Sequence, residues 1–193
     1  MKNYSLLSLL LSVGLLVLSL PSMAIYSEIG SNYNYKKSTY DSNNGFEQQS
    51  STFSLSFYFW EQLGLELSYT NGLAIKKELA TYSQALLTTT TQYSDIYGAD
   101  LIYVLSGKQS KFQPYVKGGA AYVKKRQVIQ AYGQPASEIV PSPGVAPSYG
   151  AGFKFFLTES LALRAGYDII HTPIDDNTKV DDIAGRIGLS WIL

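Results

Sequence analysis

The chain has 193 residues, 15 Lys+Arg against 15 Asp+Glu, one His and no Cys, with 46% hydrophobic and only 16% charged side chains. Without cysteine there is no disulfide framework and no thiolate metal site, and a formal charge of zero gives no electrostatic footprint for nucleic acid. The 16 Tyr, 8 Phe and 2 Trp argue against disorder and point to one folded domain of short strands and turns.

The first segment reads as a leader. Lys2 gives a positive start, Leu6 to Leu20 is an almost unbroken apolar run, Pro21 breaks it, and Ser22-Met23-Ala24 places small residues where a signal peptidase cuts. About 15 apolar residues fall short of the ~20 that a spanning helix needs. The expected division is therefore residues 1–24 as a removed signal peptide and residues 25–193 as the mature domain, exported, with no cysteine to carry a lipid anchor.

From Ile25 onward the apolar pattern has period two, the period of strands. A weaker first strand runs from Ile25 to Tyr35. Phe53, Leu55, Phe57 and Phe59 then alternate with Ser54, Ser56 and Tyr58, and Leu63, Leu65, Leu67 and Tyr69 alternate with Gly64, Glu66 and Ser68, with Glu61-Gln62 as the turn between them. Next come Tyr97, Ala99, Leu101 and Tyr103 against Gly98, Asp100 and Ile102, and Val116, Gly118, Ala120 and Tyr122 against Lys117, Gly119 and Ala121. The last three strands set Tyr149 to Leu157, Leu161 to Ile169 and Ile183 to Leu193 on one face against Lys154, Arg164, Asp168, Arg186 and several glycines on the other. The count is eight.

Connection lengths alternate. Lys36–Ser51, Asn71–Gln92, Lys124–Pro147 and His171–Lys179 read as long links, while Glu61-Gln62, Ser106–Gln113 and Thr158–Ser160 are short. Pro135, Pro141, Pro143, Pro147 and the Thr88 to Thr91 run are expected in the long links. An even number of antiparallel strands with tight turns at one end and long loops at the other is the arrangement of an outer-membrane barrel. The expected fold is thus all-β, an eight-stranded antiparallel up-and-down transmembrane β-barrel with short periplasmic turns and four longer extracellular loops. A soluble barrel with an apolar interior is the rival. The small residues weigh against it: the polar face is Gly, Ala and Ser with single charges, which suits a narrow interior, and the apolar face carries no charge.

Eight strands leave room inside only for side chains. Glu66, Asp100 and Asp168 are then expected to pair there with Lys117, Lys154, Arg164 and Arg186, because an isolated charge out of water is prohibitive. This cluster reads as a plug, the alternative being a polar path for water or small ions. Trp60, Tyr69, Tyr103, Tyr122, Tyr167 and Trp191 fall where interfacial girdles would lie.

The chain end, Arg186-Ile187-Gly188-Leu189-Ser190-Trp191-Ile192-Leu193, resembles the C-terminal recognition signal of outer-membrane barrels, with Arg186, Gly188, Trp191 and Leu193 in its four positions and Leu193 replacing the commoner terminal Phe. With the leader and the strand spacing, the mature chain is similar to small OmpA-type and opacity-like outer-membrane barrels. The resemblance implies insertion by the barrel-assembly machinery into the outer membrane of a Gram-negative bacterium, contact with lipid and lipopolysaccharide, loops exposed to a host or surface ligand, and a role in envelope integrity or adhesion. A monomer is expected.

Lys124-Lys125-Arg126 is a candidate contact for lipopolysaccharide phosphates. A narrow OmpW-like transport path for small or hydrophobic molecules is the second functional reading. Enzyme activity is the least favoured: the one histidine, His171, has Thr172, Asp175 and Asp176 nearby but no serine at a fixed short spacing. Asp175, Asp176, Asp181 and Asp182 lack the spaced ligand-and-glycine loop of a calcium cage, and no cofactor motif occurs.

Overall fold

The computed structural model describes residues 26–40, 44–79, 87–175 and 178–193, with the side chains of 172–181 also outside the description. The leader 1–24 lies outside it, as do the side chains of Asp175, Asp176 and Asp181.

Among the described residues nine strands follow one another: β1 (Tyr26–Thr39), β2 (Gly45–Tyr58), β3 (Leu63–Leu79), β4 (Leu87–Val104), β5 (Phe112–Ala131), β6 (Ser137–Ile139), β7 (Gly144–Phe156), β8 (Leu161–Asp175) and β9 (Thr178–Ile192). Every pairing is antiparallel, β4 pairs with β5 and β9 with β1, so the sheet closes on itself. The three-residue β6 pairs only with β5, through Gln127, Val128 and Ile129, and stands outside the ring, which leaves a barrel of eight. Closure follows from the solvent: hydrocarbon offers no partner for an edge N–H or C=O.

One row of facing residues measures how the ring closes. Pro114 faces Phe153, which faces Ala165, then Ile187, Tyr33, Ser51, Asn71, Asp95 and Lys124 in turn. The row leaves β5 at residue 114 and returns to it at residue 124, a stagger of ten residues. With strands about 4.7 Å apart and a rise of about 3.3 Å per residue, eight strands with that stagger tilt by about 41° around a backbone radius of about 8 Å. Each residue then climbs about 2.5 Å, and a hydrocarbon band of about 25 Å takes about ten of them.

The outer face fits that length. On β5 the outward residues run from Phe112 through Val116, Gly118 and Ala120 to Tyr122, and Lys124 follows; on β4 they run from Tyr103 up to Tyr97, and Asp95 follows. Tyr69 donates to Asp95 Oδ1 at 2.7 Å, Asn71 donates to the same oxygen at 3.0 Å, and the Lys124 ammonium lies over the Tyr122 and Tyr97 rings at 5.5 and 5.8 Å. Tyrosines with one end apolar and one wet thus mark the upper border, and Trp60, Tyr103 and Trp191 are exposed near the lower one.

The strands are longer than the sequence pattern indicates. The Lys36–Ser51 and Asn71–Gln92 links are mostly ladder, and the Thr88 to Thr91 run belongs to β4, opposite Ile75 to Glu78. Above the membrane both faces of a strand are wet, so alternation disappears from the sequence while the hydrogen-bonded ladder continues. Pro147 is likewise within β7, opposite Ala120; β7 meets β8 only from Ser148 onward, so the β8 side of the strand is open at the proline.

Candidate functional site in the barrel lumen

Inward positions of the eight strands fill the interior in three layers. At the periplasmic end Tyr26, Tyr58, Ile102, Val104 and Tyr115 form an apolar floor, with the Tyr26 and Tyr58 rings stacked at 4.3 Å. Gln113 closes it by donating to the Lys108 carbonyl at 2.9 Å, and the Lys108 ammonium covers the Tyr26 ring at 4.5 Å.

Above this floor lies a layer of charge. Glu66 receives Lys117 Nζ at 2.9 Å on one oxygen and Arg164 Nη1 at 2.6 Å on the other, and Ser56 donates to it at 3.2 Å. Lys117 reaches Asp100 and Asp168 as well, each at 3.3 Å, and Ser148 donates to Asp100. Arg186 pairs with Asp168 at 2.5 Å. Arg164 donates through Nε to the Tyr115 hydroxyl at 3.0 Å, which ties the charge layer to the floor. Lys154 pairs with Glu28 at 2.6 Å and donates to the Tyr58 hydroxyl at 3.0 Å.

All seven charges expected in the lumen face inward and take part in these pairs. Glu28 is the participant that the sequence reading omits. The seven comprise four cations (Lys117, Lys154, Arg164, Arg186) and three carboxylates (Glu66, Asp100, Asp168); Glu28 makes them equal. That shortfall of one negative charge was visible in the sequence. The face of β1 was not, because Ser27 and Ser31 outside are as polar as Asn32 and Asn34 inside.

Glycines make the approach of these long side chains possible. A Cβ on Gly150 would lie 2.8 Å from Lys117 Cε and close against Asp168, and one on Gly166 would meet the Tyr115 hydroxyl at 2.9 Å. What space remains is small: two voids of about 10 Å³ flank the network, each enough for about one water. Ser54 and Arg186 line the first of them, and Ser54 Oγ and Arg186 Nε are the buried polar atoms there without a protein partner.

The third layer is a cup of about 360 Å³ above the charges. Phe46, Gln48, Gln92, Lys36 and Lys125 line its walls, and Asp168 and Arg186 line it towards the charge layer. Lys125 pairs with Asp182 at 2.6 Å inside this cup. The basic triplet is therefore divided by strand alternation: Lys124 and Arg126 point outward, Arg126 over the Tyr93 ring at 4.5 Å and 3.7 Å from Glu138, while Lys125 points inward. His171 packs edge-on against Tyr149 at 5.6 Å. Among the described residues no group of three His, Cys, Asp or Glu could hold a metal ion.

At the chain end Trp191 and Leu193 point outward and exposed, Arg186 is held by Asp168, and Gly188 lies against β1. A Cβ on Gly188 would fall 2.0 Å from the Ser31 carbonyl oxygen, so no larger residue fits that backbone crossing.

A closed, tilted ring with lipid-facing aromatics and an ion-paired interior defines an integral outer-membrane barrel. The chain belongs to the outer membrane protein beta-barrel domain family, whose model matches residues 10–192. Among solved structures it is similar to the outer membrane protein OprG from Pseudomonas aeruginosa, with 14% identity over 89% of this chain and 97% of that one and a TM-score of 0.60. It is also similar to Neisserial surface protein A, with 18% identity, 87% and 96% coverage and a TM-score of 0.52. The N-terminal barrel domain of Pseudomonas aeruginosa OprF gives 15%, 86%, 97% and 0.50. No curated protein matches the chain in sequence. These likenesses establish the fold, and membership of the family places the protein in the Gram-negative outer membrane.

Proposed function

We propose that the protein is a structural and interaction component of the outer membrane: a rigid barrel whose lumen is plugged and whose surface-exposed end contacts lipopolysaccharide or a surface ligand. What carries this reading is the matching of four lumen cations by four carboxylates at 2.5 to 3.3 Å, with voids of only about 10 Å³ beside them. Under this reading the charges hold the wall together and do not conduct. In planar bilayers the protein is expected to be silent. Steady unitary current steps, altered by Arg164→Met, would instead support the narrow transport path.

The same reading assigns lipopolysaccharide contact to Lys124 and Arg126, whose charges stand on the outer face at the upper border, and removes Lys125 from it. It also keeps the leader and the end signal: export with cleavage after Ala24, and insertion guided by Arg186, Gly188, Trp191 and Leu193. N-terminal sequencing of the membrane-inserted protein is expected to begin at Ile25; a start at Met1 would remove the cleaved leader.

A further inference from the structure

The wall is not equally closed all round. The β1–β9 ladder runs only from Glu28↔Ile192 to Tyr33↔Ile187, six pairs, whereas β1 stays paired with β2 up to Thr39 and β9 with β8 along its length. Above Tyr33 and Ile187 the two strands part. The parting begins inside the apolar band: Tyr33 is four of the eight strand steps along the row from Pro114 to Lys124, about 12 Å above Pro114, and Tyr35 is about 5 Å higher, still below the border at Lys124 about 25 Å above Pro114. Main-chain groups of Asn34 to Lys37 and Asp182 to Arg186 that would have bonded across the seam therefore lack ladder partners at hydrocarbon depth. Each such group costs several kcal/mol unless something polar reaches it.

Two cavities meet at the parting. On the outer wall a groove of about 620 Å³ has Ala151, Ala165 and Gly185 as its outward-facing floor between Tyr33, Tyr35 and Tyr167. Inside is the 360 Å³ cup. Arg186 lines both. Lys36, beside the gap on β1, has no ion-pair partner among the described residues. Lys36, Lys125 and Arg186 face Asp168 and Asp182 in the cup, so its described lining carries one excess positive charge.

We infer that this slot is a lateral binding site for one anionic lipid of the surrounding outer leaflet. Its acyl chain lies over Ala165 and Gly185 between the tyrosines, and its headgroup enters the gap, satisfies the open main-chain groups and meets Lys36. A zwitterionic lipid would fill the groove but not match the charge.

The test is native mass spectrometry of the full chain released from vesicles of phosphatidylglycerol, phosphatidylcholine, or phosphatidylcholine with palmitate. Expected is one phosphatidylglycerol retained at least fivefold more than phosphatidylcholine, a loss of that preference in Lys36→Glu, and loss of the bound lipid in Gly185→Phe but not in Ala99→Phe, which changes another outward small residue. Equal retention of both lipids, retention of palmitate in place of phosphatidylglycerol, or equal effects of Gly185→Phe and Ala99→Phe would overturn it. Should Gly185→Phe fail to fold, hydrogen exchange on the unaltered protein decides the matter. Amides of Asn34 to Lys37 are expected to exchange at least fivefold more slowly in phosphatidylglycerol than in phosphatidylcholine, and equal rates would contradict the site.

Discussion

Glu66→Gln removes the carboxylate on which the lumen network converges while keeping nearly the same volume. Its oxygens lie 2.9 Å from Lys117 Nζ and 2.6 Å from Arg164 Nη1, and the side chain is 1% exposed. At an effective dielectric of about 20, each contact is worth on the order of 6 kcal/mol of gross Coulomb attraction, and much of that is offset by the cost of taking the charges from water. The variant leaves the cations in place with one carboxylate fewer, the situation in which breaking a buried pair costs about 3–5 kcal/mol. Unfolding in urea from lipid vesicles, followed by the fluorescence of Trp60 and Trp191, reads this directly. With a slope of about 3 kcal/mol/M, the midpoint is expected to fall by about 1–1.7 M. Glu138→Gln is the control, since its pairing with Arg126 is 3.7 Å long and both side chains are about half exposed; it is expected to change stability by less than about 1 kcal/mol. If the two variants unfold together, the lumen charges do not hold the barrel and the plug argument fails.

Lys154→Met is expected to destabilise by a similar amount, because Glu28 would be left buried without its 2.6 Å partner, and Glu28→Gln added to it should restore part of the loss in the same assay. Gly188→Ala places a methyl against the Ser31 backbone, and heat-modifiable gel migration should show most of the protein unfolded; a fully folded band would show that the seam tolerates a side chain. Lys124→Glu and Arg126→Glu should each weaken binding to lipopolysaccharide, whereas Lys125→Glu should instead lower stability by opposing Asp182, readings that surface plasmon resonance and urea unfolding separate. Equal loss of binding in all three would return the triplet to a single patch.

The faces of seven strands were legible because hydrocarbon imposes a strict rule on one side only: Leu65, Leu101, Phe153 and Ile187 face out, and Glu66, Asp100, Lys154 and Arg186 face in. Where that rule lapses, so does the signal. Thr88 to Thr91 and Lys36 to Thr39 read as loops because water covers both their faces, yet they pair residue by residue with their neighbours. β1 gave no parity, and Glu28 with it, because serines and asparagines serve either face. Lys125 was grouped with its neighbours by proximity in sequence, although period two separates adjacent residues. The parting of β1 from β9 left no local trace, since ladder length is a property of two strands at opposite ends of the chain.

The central claim is that lipid surrounds the bulky face and the charges are inside. The chain contains no cysteine, so single cysteines introduced at Leu65, Leu67, Ser68 and Thr70, none of them in the ion-pair network, can each carry a nitroxide without competing labels. In vesicles, oxygen collision rates are expected to be high at 65 and 67 and several-fold lower at 68 and 70. Equal rates, or high rates at 68 and 70, would contradict the account.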